Sequence, residues 1–283
     1  MTPEATNKLE TWEAAVAWLA AQPELAAALA DTYLDLPLSA AAERYHASSE
    51  WSALQHWLPT ARGRALDLGA GNGILAYAAA ADGWQVTAIE PDPSAVVGAA
   101  AIRRLAKDAG LTIQVIEAFG ERLPLTDGSF EVSFARQVLH HARDLRALCA
   151  ELARVTVAGG LVITLRDHVI SGPKQLEPFL AGHLLHKRYG GENAFTVKQY
   201  RSALEAAGLE IVRALGSFDT PINYGPQSEE AIRNAVTARA VRIPGAAALI
   251  KALPFAPLAA LLGAIDRRPG RLWSFICRKP VKA

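Results

Sequence analysis

Arg64-Ala65-Leu66-Asp67-Leu68-Gly69-Ala70-Gly71-Asn72-Gly73, followed by Ile74-Leu75-Ala76-Tyr77-Ala78-Ala79-Ala80-Ala81, is the stretch that decides the fold. A short apolar run leads into a glycine-rich turn, and the turn opens a helical stretch. Glycine lets a backbone bend sharply and approach a ligand with no Cβ in the way. The helix that follows offers unpaired N–H groups at its start. Outward from this unit the pattern repeats. Apolar runs at Ala65–Leu68, Val86–Ile89, Ile113–Ile116, Val132–Ala135 and Leu161–Leu165 alternate with helical stretches over 74–82, 94–109 and 143–155. That alternation predicts an α/β fold: a doubly wound, seven-stranded, mostly parallel sheet of Rossmann-like type with helices on both faces. The helix over 143–155 is expected to close at Gly159-Gly160 with a left-handed C-cap.

Two ligand types use a strand–glycine turn–helix of this kind, dinucleotides and S-adenosylmethionine (SAM). The dinucleotide fingerprint needs G-x-G-x-x-G, whereas here the glycines stand at 69, 71 and 73, with Ile74 where the third would fall. Asp67 at the strand end also suits the cationic methionine part of SAM and would repel a pyrophosphate. The next strand ends in Ala88-Ile89-Glu90-Pro91-Asp92. An acidic residue about 20 positions after the turn accepts hydrogen bonds from both ribose hydroxyls.

Asp67–Gly73, Glu90, Gly120-Glu121-Arg122-Leu123-Pro124-Leu125, Asp127-Gly128-Ser129-Phe130-Glu131 and Ala158-Gly159-Gly160 together resemble the successive motifs of class I SAM-dependent methyltransferases. The flavour is that of the ubiquinone/menaquinone-biosynthesis-like branch of small-molecule enzymes. The resemblance spans roughly residues 64–167. It implies that SAM lies across the carboxyl ends of the first strands, with S-adenosylhomocysteine as product. Asp67, Gly69 and Gly71 would meet the methionine end, Glu90 the ribose and the 118–121 turn the adenine. Ala70, Gly73 and Pro91 complete that set. Many relatives carry aspartate where Phe119 stands, so Phe119 would wall or stack on the adenine, and the polar contact passes to Gly120 and Glu121. Arg136 and Gln137 fall where relatives touch the cofactor.

Methyl transfer from a sulfonium is an in-line displacement, so positioning is the main task. A hydroxyl acceptor must also lose a proton, which calls for a base, usually histidine. His140 and His141 follow the fourth strand, His168 follows the fifth, and His183 and His186 lie beyond it. Ligands gather at the carboxyl ends of strands in such sheets. His168 and His141 are therefore the expected catalytic groups, with Asp167 orienting the His168 imidazole. His140, His186, Tyr189, Glu192 and Asn193 are expected to bind the acceptor, the last four on a polar, glycine-rich lid. His183 and His186 share the i, i+3 spacing of one helix face, but with neither a Cys nor a carboxylate pair close to them, no metal is expected.

Residues 1–60, an N-terminal helical cap, carry six Glu and two Asp against one Lys and one Arg, while 231–283 carry ten Lys/Arg against Asp266 alone. Either the two ends pack together, or the basic end meets an acidic substrate or an anionic membrane. Residues 10–30 read as helical, and Ser39 to Trp57 as one helix closing at Pro59. Residues 61–220 and 271–283 form the expected SAM-binding core, ending in strands at Leu209–Gly216 and Leu272–Arg278. Residues 168–195 and 221–270 are the expected substrate-covering insertions. The stretch Ile243–Ile265 is apolar but broken by prolines and Lys251, which argues against a spanning helix. Cys149 and Cys277 have no metal-ligand spacing and read as buried reduced thiols. The N-terminus shows no export signal, so a cytoplasmic location is expected.

An Asn/Asp-Pro-Pro-aromatic motif after the fourth strand is absent, and no basic stripe covers the catalytic side, so nucleic acid is not the expected partner. The reading is O-methylation of a hydroxyl on a sugar or similar small molecule with a histidine base. The alternative is methylation of a lipid, quinone or lipid-linked intermediate at a membrane surface, with peripheral membrane contact through the basic, apolar 239–271 stretch. A SAM-binding regulator without turnover is the third reading, and a homodimer is left open.

Overall fold

In a computed structural model the described residues are 9–281. The described residues begin with helices α1 (Trp12–Ala20), α2 (Ala26–Asp31), α3 (Leu38–His46) and α4 (Ser49–Gln55). It then alternates β1 (Arg64–Leu68), α5 (Ile74–Ala81), β2 (Gln85–Ile89), α6 (Ala99–Asp108), β3 (Ile113–Ile116), β4 (Phe130–Arg136), α7 (Leu145–Val155) and β5 (Thr156–Ile170). Helices α8 (Leu176–Gly182) and α9 (His186–Tyr189) precede β6 (Phe195–Thr196), α10 (Val197–Ala206) and β7 (Glu210–Leu215). Four further helices, α11 (Pro221–Tyr224), α12 (Glu229–Ala240), α13 (Ala246–Ala252) and α14 (Phe255–Ile265), lead to β8 (Arg271–Arg278).

The strands pair in the order β3-β2-β1-β4-β5-β8-β7. β8 runs antiparallel to both neighbours and the strands from β3 to β5 are parallel. The expected seven-stranded sheet is present, with one addition. β5 runs on to Ile170, and its end pairs with the two-residue β6. Successive side chains of a strand point to opposite faces, and the core divides accordingly. Ala65, Phe134 and Ile163 pack with α3, α4, α5 and α6 on one face. Leu66, Ala135, Val162 and Phe275 pack with α7 and α10 on the other.

Two elements differ from what the sequence predicts. The helix over Ser39–Trp57 is two helices, because Ser48 caps α4 by accepting from the Trp51 N–H at 3.1 Å. Gly159-Gly160 does not cap α7, which stops at Val155. Gly159, at φ +80°, lies inside β5, where the register against β4 shifts. Among the described residues, no ion pair joins the acidic beginning to the basic end. Glu10 pairs instead with Arg188, Asp35 with Arg44, and Glu50 with Arg136 and Arg166. In the 221–270 segment, α11 meets α4 and β8, and α12 meets α13. Thr196 does cap α10, in a capping box with Gln199, and Cys149 and Cys277 are free and buried. Among the described residues, no helix is long and apolar enough to cross a membrane.

Glu50 joins the N-terminal helices to the sheet. It is 1% exposed and accepts from Arg136 Nε at 2.7 Å and Nη2 at 3.1 Å, while Arg166 Nη1 stands 3.4 Å away. Burial alone would raise its pKa, but Arg136, Arg166 and the Tyr45 hydroxyl outweigh burial and hold it below the usual carboxylate range. Arg166 also donates to the carbonyls of Ile222 and Gly225 at 3.0 and 2.7 Å. One carboxylate thus ties α4 to the ends of β4 and β5 and, through Arg166, to α11. Removing one partner of a buried pair leaves an uncompensated charge, so Glu50→Ala is expected to lower unfolding free energy by about 3–5 kcal/mol, read by urea denaturation.

Candidate active site

A cavity of about 870 Å³ opens at the carboxyl ends of β1, β2, β4 and β5, where ligands gather in sheets of this kind. One side is the glycine turn. Gly69, Gly71 and Gly73 have φ of +64°, +56° and +87°. This is the left-handed region that L side chains avoid at about 1–2 kcal/mol. A Cβ on Gly69 would come within 2.6 Å of Val138. A Cβ on Gly71 would meet nothing within 4 Å, so that backbone faces open space.

Glu90 is held across the turn, accepting from Gly71 N–H at 2.7 Å and Asp92 N–H at 2.9 Å. Burial raises its pKa to about 7 against the pull of those bonds. Asp67 is likewise raised to about 7 by burial, with a backbone bond from Ala76 opposing and Glu90 adding. Its Oδ2 is buried without a hydrogen-bond partner. An orphaned carboxylate oxygen beside an open glycine backbone is what a cationic amino-acid group would satisfy, so the residues fit SAM. Phe119, 60% exposed, stands at the cavity wall with the Arg143 guanidinium 5.3 Å from its ring centre. Glu121 accepts from Arg143 N–H at 3.0 Å.

Pro91, Gly120, Arg136 and Gln137 also line the cavity. Arg136 commits its guanidinium to Glu50 and, at 3.0 Å, to Gln137 Oε1. Gln137 has φ +57°, and its N–H bonds the Leu165 carbonyl at 2.7 Å. Gly73 lies outside the lining, behind the turn, where a Cβ would meet Ile102 at 3.1 Å.

The opposite side is a histidine cluster. His140 is 1% exposed. Its Nδ1 bonds Asp167 Oδ1 at 2.9 Å and its Nε2 lies 3.5 Å from Glu192 Oε2. Burial opposes its charge, but the two carboxylates outweigh burial and raise it to about 9. Asp167 therefore orients His140, not His168 as the sequence suggested, because neighbouring strand residues point to opposite sides. His168 Nδ1 bonds the Gly270 carbonyl at 3.0 Å instead. His141 Nδ1 bonds the Gly191 carbonyl at 2.8 Å. Carbonyls only accept, so both rings carry N–H at Nδ1 and a lone pair at Nε2. Enclosure by protein and the nearby His140 charge lower both pKa values, to about 4 for His141 and about 3 for His168, although the His141 ring is open to the cavity.

Tyr189 and Glu192 line the cavity, joined by a 2.7 Å bond from the Tyr189 hydroxyl to Glu192 Oε1. His186 and Asn193 do not. His186 faces a separate hollow of about 480 Å³ with Leu176 and Lys187, and Asn193 Oδ1 accepts from Ala194 N–H at 2.8 Å. Trp12 of α1 and Leu34 of the loop between α2 and α3 also line the cavity without a sequence signal that places them there, and so does His183, for which the sequence predicts no role of its own. Trp12 packs on Tyr189 with ring centres 4.7 Å apart, so α1 braces the segment that carries Glu192. The only signal for this in the sequence was the apolar face of α1, which by itself names no partner.

Residues 66–164 match a family described as a methyltransferase domain. An uncharacterized methyltransferase of Mycobacterium sp. (strain JLS) is 32% identical over 178 residues, which covers 59% of this chain and 67% of the relative. A ubiquinone biosynthesis O-methyltransferase of Rhizobium leguminosarum bv. trifolii (strain WSM2304) is 26% identical, covering 56% of this chain and 64% of that one. Among solved structures, a geranyl diphosphate methyltransferase in complex with SAM superposes with a TM-score of 0.57 at 15% identity, covering 87% of this chain and 91% of that one. Fold and cofactor cradle together define a SAM-dependent transferase. The chain belongs to the class I SAM-dependent methyltransferases, and SAM is its cofactor.

Gly69→Ala would force the turn to shift away from Val138 and adopt a new backbone conformation. S-adenosylhomocysteine binding, measured calorimetrically, is expected to weaken by about tenfold or more, since 1.4 kcal/mol is a factor of ten.

Proposed function

We propose that the enzyme methylates a hydroxyl of a small polar metabolite such as a sugar, with His141 as the general base. The observation that carries this reading is the pair of imidazoles, His141 and His168, whose Nδ1 atoms are tied to backbone carbonyls. That arrangement leaves the Nε2 lone pairs as proton acceptors beside the cavity. His141 has the ring more open to it. When bound, SAM supplies a methyl carbon on a sulfonium, which the acceptor oxygen takes by in-line displacement, leaving S-adenosylhomocysteine.

The residues of this chain divide the remaining work. Asp67 would pair with the methionine ammonium through its orphaned oxygen, and Glu90 would accept from the ribose hydroxyls. Ala70, Gly71 and Pro91 would line the path between them, Phe119 and Gly120 would wall the adenine, and Glu121 would fix the turn beside it. Arg136 would act by holding Gln137 rather than by touching the cofactor. His141 Nε2 would receive the hydroxyl proton, and the Gly191 carbonyl fixes the tautomer that allows this. Tyr189, Glu192 and His168 would hold the acceptor, with Trp12 and Tyr189 excluding water above it. The polar, histidine-rich wall favours a hydroxylated acceptor over a lipid or quinone.

His141→Ala is expected to lower kcat by about 10²–10⁴-fold, the usual worth of a general base, while leaving S-adenosylhomocysteine affinity unchanged. A single-turnover assay with labelled SAM and a host-cell metabolite extract would read it. An unchanged rate would remove His141 from the base role.

Affinity for SAM is expected to depend on pH through Asp67 and Glu90. Both are raised to about 7 in the free site, and the cationic ammonium and the ribose hydroxyls favour their ionised forms. Affinity should therefore be full above about pH 7 and fall as pH drops, by at most about tenfold per pH unit for each group. Calorimetric titration across that range would show it, and Glu90→Gln should flatten part of the slope.

A further inference from the structure

The histidine cluster is built more elaborately than proton transfer requires. Ligand atoms from His140, His168 and Glu192 lie within 4.8 Å of one another. Glu192 is 8% exposed, and its Oε2 is buried with no hydrogen-bond partner. That oxygen is 3.5 Å from His140 Nε2 and 4.0 Å from His183 Nε2, at ion-pair distance from two convergent imidazoles.

Each of the three groups is held from behind. Asp167 Oδ1 bonds His140 Nδ1 at 2.9 Å, the Gly270 carbonyl bonds His168 Nδ1 at 3.0 Å, and the Tyr189 hydroxyl bonds Glu192 Oε1 at 2.7 Å. Metal-ligating histidines typically donate their other ring N–H to a carboxylate or carbonyl, which fixes the ring and the tautomer. Here both histidines do so, which leaves Nε2 as the ligating nitrogen of His168, and of His140 once a bound ion displaces the proton on that nitrogen. His140 and His168 stand face to edge, with ring centres 4.6 Å apart.

We infer that His140, His168 and Glu192 form a binding site for a divalent first-row transition ion at the acceptor side of the cavity. Two imidazoles and one carboxylate with open positions beyond them suit zinc, iron(II) or manganese rather than magnesium or calcium. His183 stands within reach as a further ligand. His140 and His168 line the cavity with Glu192, so the open positions face the acceptor. The inference deepens the hydroxyl-methylation reading and rests on it for its purpose, because an ion there would anchor a hydroxyl or diol oxygen beside His141. The sequence places His140, His168 and Glu192 each on the acceptor side, but no metal-ligand spacing joins them. The ligands are spread over positions 140, 168 and 192, and the carboxylate partner of the first is Asp167.

The test is cobalt(II) titration of the full-length protein after dialysis against a chelator, read by visible ligand-field absorption and by calorimetry, without SAM or acceptor. One equivalent of cobalt is expected to bind per chain, displaced by zinc. Glu192→Gln and His168→Ala should each weaken binding by about a hundredfold or more. Asp167→Asn, which touches no metal, should weaken it by about 10–100-fold, as removal of a group behind a metal ligand does. Circular dichroism would establish that each variant is folded, and Glu192→Gln serves as the mildest change if His168→Ala is not. No cobalt binding, or binding unchanged in folded Glu192→Gln, would overturn the site. Cobalt bound as expected with no hydroxyl methylation in extract would leave the site standing and overturn the substrate reading alone.

Discussion

A single buried carboxylate, Glu50, holds together parts of the molecule that the chain itself keeps far apart. It lies between the Arg136 and Arg166 guanidiniums, at the carboxyl ends of β4 and β5, and it arrives there on α4. Charges this deep are stable only as a matched set. The set therefore fixes the N-terminal helices relative to the sheet. Tyr33 and Tyr45 close over Arg136, with their ring centres 5.8 and 5.2 Å from its guanidinium carbon. Asn72 of the glycine turn then donates to the Tyr33 carbonyl at 2.7 Å. The cofactor turn and the cap are thereby fixed by the same contacts.

The two halves of the cavity are built on different principles. The cofactor half is mostly backbone: a left-handed glycine turn, with carboxylates at the ends of β1 and β2 whose burial leaves them near neutrality. The acceptor half is mostly side chain: histidines whose Nδ1 atoms are all engaged, pointing their remaining nitrogens toward common ground. A backbone cradle tolerates change around it, since what it needs is a few glycines and two acids. A side-chain cluster depends on every element that carries a member, here the turn after β4, the end of β5, the segment before β6 and the Gly270 turn before β8.

The acceptor side also explains why β5 is long. It runs from Thr156 to Ile170, past the point where its parallel neighbour β4 stops, and the extra length pairs with β6 and with the start of β8. That extension carries Arg166, Asp167 and His168, and alternation along the strand deals them to different partners. Arg166 turns to the N-terminal helices and α11, Asp167 to His140, and His168 to Gly270. A shift of register would exchange these partners and dismantle both the ionic set and the histidine cluster.

The sequence by itself determined the sheet, the cofactor turn and the kind of chemistry. These are local signals: apolar runs of strand length, glycines two apart after Asp67, and an acid about 20 residues on. Backbone geometry acts over neighbouring residues, so such signals are complete in the sequence. Only the tertiary structure decided which acid serves which histidine, that Trp12 of α1 lines the cavity, and that Glu50 belongs to the centre of the molecule. His140 and Asp167 are 27 positions apart and Glu50 and Arg136 are 86 apart. Nothing in composition or period connects residues at such separations. Their pairing is fixed by strand order, by which face each side chain takes, and by the requirement that no buried charge be left alone.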